Sequence, residues 1–88
     1  MKINGEFLLK EISGQWILMP INTEDQSTVK IMTLTASAAL LWTELEKGTD
    51  NIEDLAKALL KEYDIEYRMA VKDSSEFIIQ LKEHDIIE

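Results

Sequence analysis

The chain has no cysteine, one proline and three glycines among 88 residues. Without thiols there are no disulfides, thiolate nucleophiles or cysteine-ligated zinc sites, and the composition suits a reducing compartment, so a cytoplasmic location is expected. Gly5, Gly14 and Gly48 stand too far apart to form a phosphate-cradling loop. The single histidine, His84, has no cluster of ligating residues at metal-binding spacing, so no metal or cofactor is expected. No apolar run approaches the ~20 residues needed to span a bilayer. Glu6, Lys10 and Glu11 interrupt the N-terminal stretch where a signal peptide would need apolar residues. No membrane partner is expected. Basic residues are also scarce, nine against seventeen acidic ones, leaving a net charge of −8. DNA binding driven by counterion release needs the opposite sign, so nucleic acid is not an expected partner. The negative field favours neutral or basic partners, or simply keeps the chain soluble.

The residues present describe an ordinary globular chain, 45% hydrophobic and 30% charged. A chain this short forms a single domain, residues 1–88, that buries roughly 60–65% of its unfolded surface and has little room for a large catalytic cleft. Strand-like runs come first. Phe7 to Ile12 and Gln15 to Pro20 flank Ser13-Gly14, the spacing of a tight hairpin, and Pro20 is expected to end the second run. Asn22 to Ser27 is polar and reads as a loop, and Thr28 to Leu34 reads as a third strand.

At Thr35 the periodicity changes from strand to helix. Ala38, Leu41, Trp42 and Leu45 recur at helical spacing, and Thr35 occupies the N-cap position. This first helix is expected to end near Lys47, before Gly48. Asn51 with Asp54 makes a capping-box variant for a second helix, whose stripe is Ile52, Leu55, Ala56, Leu59 and Tyr63. After a break at Asp64-Ile65, a third helix from Tyr67 to His84 turns Ala70, Ser74, Phe77 and Leu81 inward, with the Ser74 hydroxyl expected to bond back to the preceding turn. The tail isoleucines, Ile86 and Ile87, are expected to tuck against the core. The fold class is therefore α+β: three N-terminal antiparallel strands followed by three helices, with a winged helix-turn-helix-like outline.

Nothing in this pattern supplies catalysis. His84 suits the C-terminal end of a helix. The acidic pairs Glu44 and Glu46, Glu53 and Asp54, and Asp73 and Glu76 fall on positions predicted to face solvent. No enzyme activity is expected.

The order Leu34-Thr35-x-Ser37-Ala38-x-x-Leu41-Trp42-x-x-Leu45, then Gly48, Leu55, Leu59-x-x-x-Tyr63-Asp64-Ile65, then Asp73-x-x-x-Phe77-Ile78-x-x-Leu81, resembles the PqqD family. The likeness extends from Phe7 to Ile87. Thr35 stands where the family usually has Asn, Ser37-Ala38 where it has Thr-Gly, and Ser74 at a usually aliphatic position. The resemblance implies a peptide-recognition element of ribosomally made, post-translationally modified peptide (RiPP) pathways. Such a domain acts as a non-catalytic peptide chaperone that holds the leader of a precursor peptide. The leader adds as a strand beside the third strand and packs against the third helix. Its implied protein partner is a modifying enzyme, such as a radical S-adenosylmethionine protein or a lasso-peptide processing enzyme.

The residues can carry such a site. The stretch Val29, Lys30, Ile31, Met32, Thr33 and Leu34 contains no proline, and its single charge, Lys30, guards an edge only weakly. On the third helix, Val71 and Ile78 widen the apolar stripe on one flank, followed outward by Ser75 and Lys82, while Ile79 lies almost opposite the core. The expected peptide groove therefore has the strand edge as its floor and Val71, Ser75, Ile78 and Lys82 as its helix wall. Two alternatives remain open at this point. A winged-helix DNA-binding regulator would need a basic recognition helix, but Arg68, Lys72 and Lys82 are set among Asp73, Glu76, Glu83 and Asp85. A small self-associating scaffold module would use the open edge for itself, and the expected state is a monomer or weak homodimer.

Overall fold

Ser13 and Gly14 adopt positive φ, 52° and 82°, as a type I′ hairpin turn requires. Around them β1 (Glu6–Ile12) pairs antiparallel with β2 (Gln15–Ile21), with Ile12 opposite Gln15 and Leu9 opposite Leu18. β3 (Met32–Leu34) pairs antiparallel with the other side of β2, giving the order β1-β2-β3. The computed structural model describes residues 1–21 and 31–88. The loop expected at Asn22 to Ser27, and the first part of the expected third strand (Thr28, Val29 and Lys30), lie outside the described residues.

β2 runs one residue past Pro20, where the sequence predicts a stop. Counting from the closing pair Ile12–Gln15, the pair Phe7–Pro20 falls at a non-hydrogen-bonded position. The missing N–H therefore costs the β1 ladder nothing.

Thr35 alone separates β3 from α1 (Ala36–Glu46). Its hydroxyl accepts from the Ala38 N–H at 3.1 Å, the expected cap. The helix ends in a Schellman turn: Gly48 N–H donates to Leu45 O and Thr49 N–H to Glu44 O, each at 3.1 Å. Gly48 has φ +107°, a backbone region that side chains with a Cβ rarely enter. Asn51 caps α2 (Ile52–Glu62) reciprocally with Asp54: the Asp54 N–H donates to Asn51 Oδ1 at 2.8 Å, and Asn51 Nδ2 donates to Asp54 Oδ2 at 2.9 Å. A second Schellman turn closes α3 (Tyr67–Glu83), with Ile86 N–H donating to Leu81 O at 2.9 Å. This turn sends Ile86 and Ile87 back into the core. Ile87 forms a bridge with Ile3, and Asn4 N–H donates to Ile86 O at 2.8 Å. The two ends of the chain are thereby tied together.

Strand alternation puts Phe7, Leu9, Trp16, Leu18, Met32 and Leu34 on one face of the sheet, and α1 packs there. Trp42 sits at the centre of this packing, 0% exposed, with its ring edge-on to Phe7 at 5.5 Å and 76°. Leu41, Leu45, Leu55, Leu59, Phe77 and Leu81 complete the core. α1 is apolar over more of its circumference than the heptad-like stripe implies. Ala39 is buried while Ala38 is half-buried, because the helix meets the sheet as well as α2 and α3.

Two expectations need correction. Tyr63 leaves the stripe of α2 and is 37% exposed, because the helix stops at Glu62 and Tyr63 is extended (φ −128°, ψ 141°). Ser74 faces inward as expected, at 0% exposure, but its hydroxyl has no hydrogen-bond partner among the described residues. A buried unpaired hydroxyl opposes folding. Ser74→Ala should therefore raise stability by about 1 kcal/mol in urea denaturation, and a loss of stability would show that the hydroxyl is satisfied after all.

Candidate functional site

The backbone of β3 has a definite polarity, which follows from the register. A two-residue hairpin closes on a hydrogen-bonded pair, here Ile12–Gln15, so the pairs alternate from that point. Ile17 bonds to β1, whereas Trp16 and Leu18 direct their backbone groups at β3. Leu34 and Met32, opposite them, spend their own N–H and C=O groups on β2. Thr33 is left with both backbone groups directed at the far edge, where no described strand pairs with it. Its side chain is exposed, and the preceding Ile31 is 61% exposed. Met32 is half-buried and Leu34 is buried, so the side chains of β3 anchor it while its outer edge stays open. Val29 and Lys30, the other two strand residues expected at the site, lie outside the described residues.

A cleft of about 300 Å³ lies between the start of α1 and the middle of α3. Thr35, Ser37, Ala38 and Leu41 form one side of it; Asp73, Glu76, Phe77 and Gln80 form the other. Apart from the apolar Phe77, Leu41 and Ala38, its lining is rich in oxygen: two carboxylates, an amide and two hydroxyls, Thr35 Oγ1 and Ser37 Oγ being 3.1 Å apart. It begins where β3 ends.

The helix-wall residues expected from the sequence differ in exposure. Ile78 is 5% exposed and belongs to the core. Val71 is half-buried and packs against that core, Ser75 is half-buried and Lys82 is exposed. None of the four lines the cleft at the seam. At 100° per residue, Asp73 and Gln80 lie on the flank of α3 opposite Ser75 and Lys82. Helical periodicity identifies the inward stripe but treats its two flanks alike. The apolar Val71 and Ile78, which favour one flank in the sequence, are core packing. Ile79 is 54% exposed, as its position on the wheel implies.

With strand edge and cleft defined, comparison with known proteins becomes informative. The family model for PqqD, described as coenzyme PQQ synthesis protein D, matches residues 15–87. The chain belongs to the PqqD family. Two solved structures share its fold. One is TbiB1 in complex with the TbiA(β) leader peptide, with a TM-score of 0.77 and 23% identity over 100% of this chain and 95% of that one. The other is lasso peptide synthetase B1 complexed with the leader peptide, with a TM-score of 0.73 and 23% identity over 98% and 93%. At that identity the likeness concerns the fold, three antiparallel strands followed by three helices. A comparison with curated proteins gave no match. Among the described residues no three His, Cys, Asp or Glu side chains gather as a metal site, and no helix is long and apolar enough to cross a membrane.

Thr35 both ends the open strand and caps the helix that holds it. Thr35→Ala should cost about 1 kcal/mol in urea denaturation, and Thr35→Asp, which keeps an accepting oxygen, should recover most of it. Equal stability of the parent and the alanine variant would remove the cap from this account.

Proposed function

We propose that this PqqD-family chain is a non-catalytic chaperone for the leader of a ribosomally synthesised precursor peptide. The leader adds as a strand at the open edge of β3, its backbone pairing with Thr33 and its side chains entering the cleft against α3. Strand addition draws affinity from backbone hydrogen bonds and selectivity from neighbouring pockets, and this fold offers both side by side. The observations that carry the reading are the outward backbone groups of Thr33 and the cleft lined by Thr35, two residues on, and by Asp73 and Gln80 of α3. The two structural neighbours, each in complex with a leader peptide, support it. The chain itself does no chemistry on the peptide. It presents the leader to a modifying enzyme, either a radical S-adenosylmethionine protein or a lasso-peptide processing enzyme.

The groove wall is proposed to be the flank carrying Asp73, Glu76 and Gln80 rather than the one carrying Val71, Ser75 and Lys82, because the former shares a cleft with Thr35, the residue after β3. The DNA-binding alternative gains no support. The cleft-facing flank of α3 carries carboxylates, and the chain's net charge is −8.

Calorimetric titration with synthetic leader peptides of ribosomally made precursors tests the reading. Thr33→Pro removes the outward N–H without breaking a bond to β2, so the fold should persist while leader affinity falls at least tenfold. Unchanged affinity in a folded variant would refute strand addition at this edge. Charge reversal separates the two flanks: Glu76→Lys should change leader affinity severalfold, whereas Lys82→Glu should leave it within about twofold. The opposite result would return the wall to the Lys82 flank.

A further inference from the structure

The inner face of the sheet is left partly uncovered at its hairpin end. There α1 presents the short side chains of Ala36 and Ala39, and α2 stops at Glu62. An open notch of about 310 Å³ results. Its floor is apolar, Leu9 and Leu40 with the two alanines, and two aromatic rings line it: Trp16, half-buried, and Tyr63, 37% exposed. Tyr63 belongs to this notch rather than to the buried stripe of α2 because its backbone leaves the helix extended. The charges around the notch have one sign. Glu62 is the only charged side chain that lines it. Glu11 stands directly opposite Trp16, on the same face of the sheet. Neither carboxylate has an ion-pair partner among the described residues. The C-terminal end of α2, the negative pole of its dipole, comes to the same place at Glu62 and Tyr63.

We infer that this notch is a second recognition site, separate from the β3 edge, and that it takes an arginine side chain of a peptide. A guanidinium group stacks on aromatic rings, and its methylene stem covers apolar surface while the head reaches carboxylates. Floor, rings and rim match those three parts. Lysine fits less well, because its compact ammonium group is strongly hydrated and cannot lie flat across a ring. An aromatic side chain would use the floor and leave Glu11 and Glu62 uninvolved. The chain's own arginine, Arg68, does not line the notch and is paired with Glu66 at 3.2 Å. Charge also selects a peptide over free arginine. The free amino acid brings an α-carboxylate towards Glu62 and a chain of net charge −8, whereas a residue within a peptide does not. The site stands independently of the leader reading, since none of its lining residues belongs to β3 or to the cleft at Thr35.

The test titrates the full chain with N-acetyl-arginine amide and follows the two indole N–H signals by NMR. N-acetyl-citrulline amide serves as the uncharged isostere, and free L-arginine as the competing source. The Trp16 signal should shift saturably with the arginine amide, while that of Trp42, 0% exposed, should stay in place. Citrulline amide and free arginine should each bind severalfold more weakly. Glu62→Gln and Tyr63→Leu, both at exposed positions and checked for folding by circular dichroism, should each weaken the arginine amide severalfold. An unmoved Trp16 signal, or citrulline binding as well as arginine, would overturn the inference. So would parent-like affinity in both folded variants. Tighter binding of free arginine than of the amide would overturn the assignment to a peptide.

Discussion

One residue, Thr35, joins the last strand to the first helix, and most of the architecture follows from how short that joint is. With Leu34 buried opposite Trp16 and α1 starting at Ala36, the helix cannot swing away from the sheet. Trp42 is therefore carried onto Phe7 and fills the centre of the core, with its exposure reduced to 0%. The same constraint works in the other direction. A three-residue strand with one neighbour would fray by itself, but β3 is fixed at its end by a capped helix whose own packing spans the domain. The described part of the open edge is anchored by what lies behind it.

The fold also commits both chain ends to the core. The Schellman turn after α3 returns Ile86 and Ile87 inward, and the bridge to Ile3 brings the start of the chain to the same place. For a small domain this closure adds buried apolar surface where surface is scarce. The two faces of the sheet are unequal: the inner face is covered by α1, while the outer face mixes Leu8, Ile12, Ile17, Met19 and Ile21 with Glu6, Lys10, Gln15 and Thr33. The outward backbone groups of Thr33 belong to the edge of this sheet that the chain's described residues leave unpaired.

Some elements were legible in the sequence because their causes are local. The Ser13-Gly14 turn, the caps at Thr35 and Asn51, and the stop at Gly48 depend on a residue and its neighbours within four positions. The inward stripe of α3 is legible for the same reason, since a helix repeats its own geometry. Tyr63 escaped because the backbone turned extended one residue early. The unpaired Ser74 hydroxyl escaped because hydroxyl satisfaction depends on the surrounding packing.

The sequence by itself determined the class of fold, the order of its elements and the family. These are set by periodicity, turn chemistry and spacing, all properties of contiguous residues. Only the tertiary structure decided which backbone groups of the third strand point outward and which residues of α3 share a cleft with Thr35. The outward role of Thr33 follows from counting ladder pairs from Ser13-Gly14 through β2 to β3, which needs a register that no single strand contains. The placement of Asp73, Glu76 and Gln80 beside the seam follows from the rotation of α3 about its axis. Its core contacts fix that rotation, while the helical wheel leaves the two flanks equivalent.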